Sequence, residues 1–130
     1  MGLDSFFYTQ NSEGKNEPFT DDRLEGINLT GGMLSGNGAD GSFRGKIYDH
    51  FLNTITDGAF TLYEEEQGSE NYPVVITALV AWLSTNPGGE GWNPAETEYG
   101  IYPHTRKDIE GLLQLFTVAY DRGAMLHGWW

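Results

Sequence analysis

Residues 74–83, VVITALVAWL, hold one polar side chain in ten, Thr77. A stretch this apolar must leave water, yet it is about half the length of the roughly 20 residues that span a bilayer. It therefore belongs inside a globular core. Pro73 suits the first position of a helix, and the spacing predicts a helix near 73–84. Because the segment is apolar on every face, that helix is expected to be central and nearly inaccessible. A buried strand is the competing reading, since Val74, Val75, Ile76 and Thr77 are all β-branched. Length favours the helix.

Two amphipathic segments flank it. Phe43, Ile47, Phe51 and Ile55 recur every four residues and predict a helix over 43–56, with Ser42 as N-cap and Asp57-Gly58 as its stop. Thr105 and Asp108 resemble a capping box and open a helix over 105–122. Its buried stripe is expected to be Ile109, Leu112, Leu113, Phe116 and Tyr120, with Gly123 ending it. Between these lie strand-like pieces: residues 3–10 (LDSFFYTQ), Leu24 to Leu29, 59–63 and 98–102. Residues 11–22 and the glycine-rich 31–41 (GGMLSGNGADG) are expected to be loops. One hundred and thirty residues without a linker suit a single domain, 1–130. The expected class is α+β, with about three helices packed on a small, mostly antiparallel sheet.

Charge bears on function more than on fold. Nineteen acids oppose seven Lys and Arg, a net charge of −12. No Lys or Arg lies between Lys46 and Arg106, an interval that holds nine acids: Asp49, Asp57, Glu64, Glu65, Glu66, Glu70, Glu90, Glu96 and Glu98. Such a field repels nucleic acid and anionic membrane and attracts a basic protein surface. Glu64, Glu65, Glu66, Glu90, Glu96 and Glu98 are the candidate partner-binding acids. Trp92, flanked by glycine, is the candidate aromatic anchor among them. Trp129 and Trp130 either dock on a partner or fold back on the core.

Chemistry is harder to find. No cysteine is present, which removes disulfides, thiolate metal sites and cysteine nucleophiles. Arg44 and Lys46, after the glycine-rich loop and at a helix start, form a candidate anion site. The Walker pattern fails there, because position 40 is Asp and position 47 is Ile. An EF-hand aligned on Gly41 would need Gly36 and Ile47 as ligands, so it fails too. His50, His104 and His127 lack metal-ligand spacing, and Ser35 lacks the glycines of a nucleophile elbow. A His104–Asp108 pairing competes with a simple helix-start contact. No cofactor, metal or enzymatic activity is assigned. No basic leader precedes an apolar stretch, and position 6 is Phe where myristoylation wants Ser or Thr. A cytoplasmic protein without membrane or direct nucleic-acid contact is expected.

The opening Met1-Gly2-Leu3-Asp4, the Phe43-Arg44-Gly45-Lys46 segment followed by His50-Phe51, and the late Asp108-Ile109 with Leu112-Leu113 together resemble short phage, prophage and bacterial proteins of no assigned activity. The resemblance implies a phage-encoded origin and, with it, residence in a host cytoplasm. The favoured reading is a macromolecular binder, one version being an inhibitor of a host defence protein that mimics nucleic acid on a basic surface. A virion-decorating protein, and a small ligand-binding module or enzyme using Arg44, Lys46 and His50, are the alternatives.

Overall fold

A computed structural model describes residues 3–27, 29, 41–94 and 102–130. Three α-helices pack with one antiparallel sheet, which is an α+β arrangement. Strand β1 (Asp4–Gln10) and β5 (Met125–Trp129) lie side by side at its centre. On the far side of β1 are β2 (Asn16–Pro18) and β3 (Ser42–Phe43), paired with opposite ends of it. Strand β4 (Glu66–Gln67) pairs with β5 at the other edge.

Period-two alternation assigns the two faces of the sheet. Ser5, Phe7, Leu126 and Gly128 point inward and are buried, whereas Asp4, Phe6, His127 and Trp129 stay partly or largely exposed. Among the described residues the helices pack against the inner face. Phe7 meets Tyr72 of α2 (Tyr72–Thr85) at 5.4 Å between ring centroids and Phe116 of α3 (Arg106–Arg122) at 5.3 Å, both edge to face. The Tyr72 hydroxyl donates to the Ala124 carbonyl at 2.7 Å, which removes the cost of an unpaired polar atom at this depth.

The third helix starts and stops as its residues predict. Thr105 Oγ1 accepts from the Asp108 N–H, and Gly123 closes the helix at φ 63°. Its stripe differs at two positions: Leu113 is only partly buried and Tyr120 is half exposed, while Leu115, Val118 and Ala119 are buried in addition to Ile109, Leu112 and Phe116. A four-residue step overshoots one turn by about 40°, so each repeat of it rotates away from the core.

Helix α1 (Gly45–Ile55) begins later than the Phe43 spacing predicts. Ser42 and Phe43 are drawn into β3, and Arg44 takes the N-cap position without a side-chain cap bond. A Cβ at Gly45 would overlap Ser5 Oγ, so glycine lets the helix start seat directly on β1. Residues 59–63 are not a strand. Asp49 holds them as a loop, its Oδ1 accepting from Thr61 Oγ1 at 2.9 Å and from the Leu62 N–H at 2.6 Å. Leu24 ends a 3-10 turn (Asp22–Leu24) rather than opening a strand, and the expected 11–22 loop contributes β2.

The largest correction concerns α2. It is not central. Tyr72, Val75 and Leu79 are buried, but Val74 and Val80 are 39% and 48% exposed. Packing against α3 and α1 uses one side of the helix, and among the described residues no further layer covers the other. Residues 31–40 of the glycine-rich 31–41 loop and 98–101 of the expected 98–102 strand lie outside the described residues.

Candidate functional site

The expected acids divide between two places. The 64–66 run lies at the β4 edge, next to the open face of the sheet. Gly128 of β5 brings it there: its N–H is shared between the Glu64 carbonyl at 3.1 Å and the Glu65 carbonyl at 3.2 Å. A Cβ at position 128 would stand 2.6 Å from Glu64 O and 2.7 Å from Leu62 O. Only glycine admits that close approach.

Around this seam the side chains form an acidic and aromatic surface. Glu66 sits opposite His127, and His127 sits opposite Phe6, with 4.9 Å between the Phe6 and His127 rings. The Tyr8 hydroxyl donates to Glu66 Oε1 at 3.0 Å. Burial raises the Tyr8 pKa, and the Glu66 carboxylate adds to the shift. A cleft of about 390 Å³ is lined by Glu65, His127, Gly128, Trp129 and Trp130. A second, of about 260 Å³, has Glu64, Glu66 and Glu70 on its walls. Trp129 and Trp130 are 70% and 52% exposed, so neither ring folds back on the core.

Ion pairs among the described residues join Arg23 to Asp21 and Asp121, and Arg122 to Asp21. Arg106 donates to the carbonyls of Asn86 and Leu83 at the end of α2. Arg23, Arg122 and Arg106 are thus committed to parts of the fold other than the 64–66 run.

Trp92 and Glu90 belong to the second place. Trp92 and His104 exchange backbone hydrogen bonds at 2.8 and 2.9 Å. A Cβ at Gly91 would overlap the His104 carbonyl, so that glycine serves close packing of two chain segments. The Trp92 ring meets Phe51 at 5.1 Å and stacks on His104 at 5.6 Å. Trp92 therefore has a packing role that its glycine flanks alone do not reveal. Glu90 is exposed beside it, and Glu96 and Glu98 lie outside the described residues.

His104 is 3% exposed, and neither ring nitrogen has a hydrogen-bond partner among the described residues. Desolvation pushes its pKa down to about 4, against an opposing pull from the Asp108 charge. The contact at the start of α3 is the Thr105–Asp108 cap, not a His104–Asp108 hydrogen bond. No group of three or more metal-ligating side chains occurs among the described residues, and no described helix is long and apolar enough to cross a membrane.

At the candidate anion site one backbone donor is already used. The Lys46 N–H, at the head of α1, already donates to the Leu3 carbonyl at 2.9 Å, and Arg44 is exposed. Inorganic phosphate is expected to leave the Tm of the wild type and of Arg44→Ala/Lys46→Ala equally unshifted. A shift confined to the wild type in a thermal melt would restore the site.

No family model matches this sequence, and comparison with curated proteins and with solved structures finds no match.

Proposed function

We propose that this chain is a binding module that presents the open, acidic and aromatic face of its sheet to a basic protein surface. The observation that carries this is the meeting of the exposed 64–66 run with the exposed rings of Trp129 and Trp130. Carboxylates attract a basic partner at long range, and the rings add desolvated contact once it arrives. A partner whose basic surface otherwise holds nucleic acid is the concrete version, because a dense row of carboxylates competes for the same cations. An inhibitor of a host defence protein, encoded by a phage, would work in this way.

The test begins with capture from bacterial lysate and continues with association kinetics on the purified partner. The triple reversal Glu64→Lys/Glu65→Lys/Glu66→Lys is expected to slow association by about tenfold or more at low salt, with a smaller change in dissociation. Raising salt from about 0.05 to 0.5 M should slow the wild type and narrow its lead over the variant. An association rate indifferent to both salt and charge reversal would leave the acidic face as a solubility feature.

A further inference from the structure

We propose that the cleft beside Trp129 and Trp130 is a receptor for an arginine side chain of the partner. This rests on the basic-partner reading above and makes it specific. Four observations converge on the cleft. One of its rings is held and neither is covered: Tyr63 braces Trp130 edge to face at 5.7 Å between centroids, and both tryptophans remain more than half exposed. Glu65, an exposed acid, is part of its wall. Asp4 sits directly opposite Trp129 in the β1–β5 register, on the same face of the sheet, and adds a second acidic residue next to the cleft without lining it. No Lys or Arg lines it.

Indole faces attract cations, and tryptophan does so best among the aromatic side chains. A bare acidic patch would accept lysine and arginine alike. An indole beside a carboxylate discriminates, because the guanidinium is planar, weakly hydrated and forked. It can stack on the ring while pairing two N–H groups with one carboxylate. An ammonium is a compact, strongly hydrated point charge and gains less from the ring. A volume of about 390 Å³ accommodates one such side chain with its methylene stem. Gly128 fixes the geometry, since the backbone approach it permits sets Glu65 next to the two rings.

The experiment titrates the full chain with two peptides of equal charge, (Gly-Arg)4 and (Gly-Lys)4, followed by indole N–H resonances and calorimetry. The wild type is expected to bind the arginine peptide about tenfold more tightly. Trp129→Ala/Trp130→Ala, which alters exposed rings and should fold normally, is expected to bring the two affinities together. Glu65→Gln should weaken the arginine peptide more than the lysine peptide. Equal affinities in the wild type, or a preference that survives the double tryptophan variant, would overturn the arginine receptor. Salt-sensitive binding of both peptides would in that event leave the broader acidic-face reading standing. Failure of both peptides to bind would overturn both readings.

Discussion

Phe116→Ala is expected to destabilise the fold by about 3–5 kcal/mol, the range for losing a buried aromatic ring and leaving a cavity. Its ring has no solvent exposure. It meets Phe7 at 5.3 Å, Tyr72 at 5.6 Å, Phe60 at 5.7 Å and Phe43 at 6.4 Å. Those partners come from β1, α2, the 59–63 loop and β3, so one side chain links the sheet to the elements above it. Alanine would strip edge-to-face contacts from four rings at once, and rings this large cannot close the gap without moving the strands that carry them. Tyr120→Ala is the matched control. It lies one helical turn further along the same four-residue spacing, yet Tyr120 is 50% exposed, and its loss should cost within about 0.5 kcal/mol. Urea unfolding of the two variants measures both. A Phe116→Ala cost below about 1 kcal/mol would mean that the aromatic cluster does not hold the layers together.

The contrast between Phe116 and Tyr120 marks how far periodicity reads. Helix positions were legible because caps, stops and apolar spacing are local: Thr105 and Gly123 bound α3 in the structure as they do in the sequence. The depth of α2 was not. Uniform apolarity says that a helix can be buried on any side, but which side is covered depends on how many layers the chain can build. Here Leu79 faces α3 and α1 while Val80, its neighbour, faces water. Strand β5 was missed for a different reason. Its MLHGW sequence is short and mixes His and Gly, and Gly128 reads as a flexible flank. Its actual cause is the backbone of Glu64 and Leu62 pressing against it, a contact more than sixty residues away in sequence.

The candidate site was legible in composition and not in geometry. A 59-residue interval without Lys or Arg marks an acidic region wherever the chain folds. It does not say that Asp49 is spent inside, holding the 59–63 loop, or that Glu66 is taken by the Tyr8 hydroxyl. Nor could it rank the aromatics. Trp92 and the Trp129–Trp130 pair both have glycine neighbours, but Gly91 exists for the close pairing with His104, which seats Trp92 against Phe51. At the other end Gly128 is consumed by strand packing, and the two rings beyond it are left in solvent.

His104 leads to the second large effect, a loss of stability in acid. Its imidazole lies between Tyr48, at 4.8 Å, and Trp92, at 5.6 Å, with Phe51 edge-on at 5.3 Å. None of these can solvate a cation as water does, and burial holds the folded-state pKa at about 4 against an ordinary 6.5. The unfolded chain therefore binds the proton first as pH falls. Stability from this site is complete above pH 6.5 and declines through the interval down to about 4. A difference of that size corresponds to about 3 kcal/mol below the lower value. Carboxylates titrate in the same window, and partial neutralisation of a chain this acidic relieves repulsion, so the raw profile mixes two opposing trends. The comparison that isolates His104 is wild type against His104→Phe, which keeps an aromatic ring between Tyr48 and Trp92 and removes the titrating nitrogen. The wild type is expected to lose about 3 kcal/mol relative to the variant between pH 7 and pH 4. Direct titration of the His104 ring by NMR provides a second reading that does not depend on the variant folding. A ring that titrates near 6.5, or stability profiles that run parallel in the two proteins, would show that the imidazole is hydrated and that the aromatic sandwich opens to water.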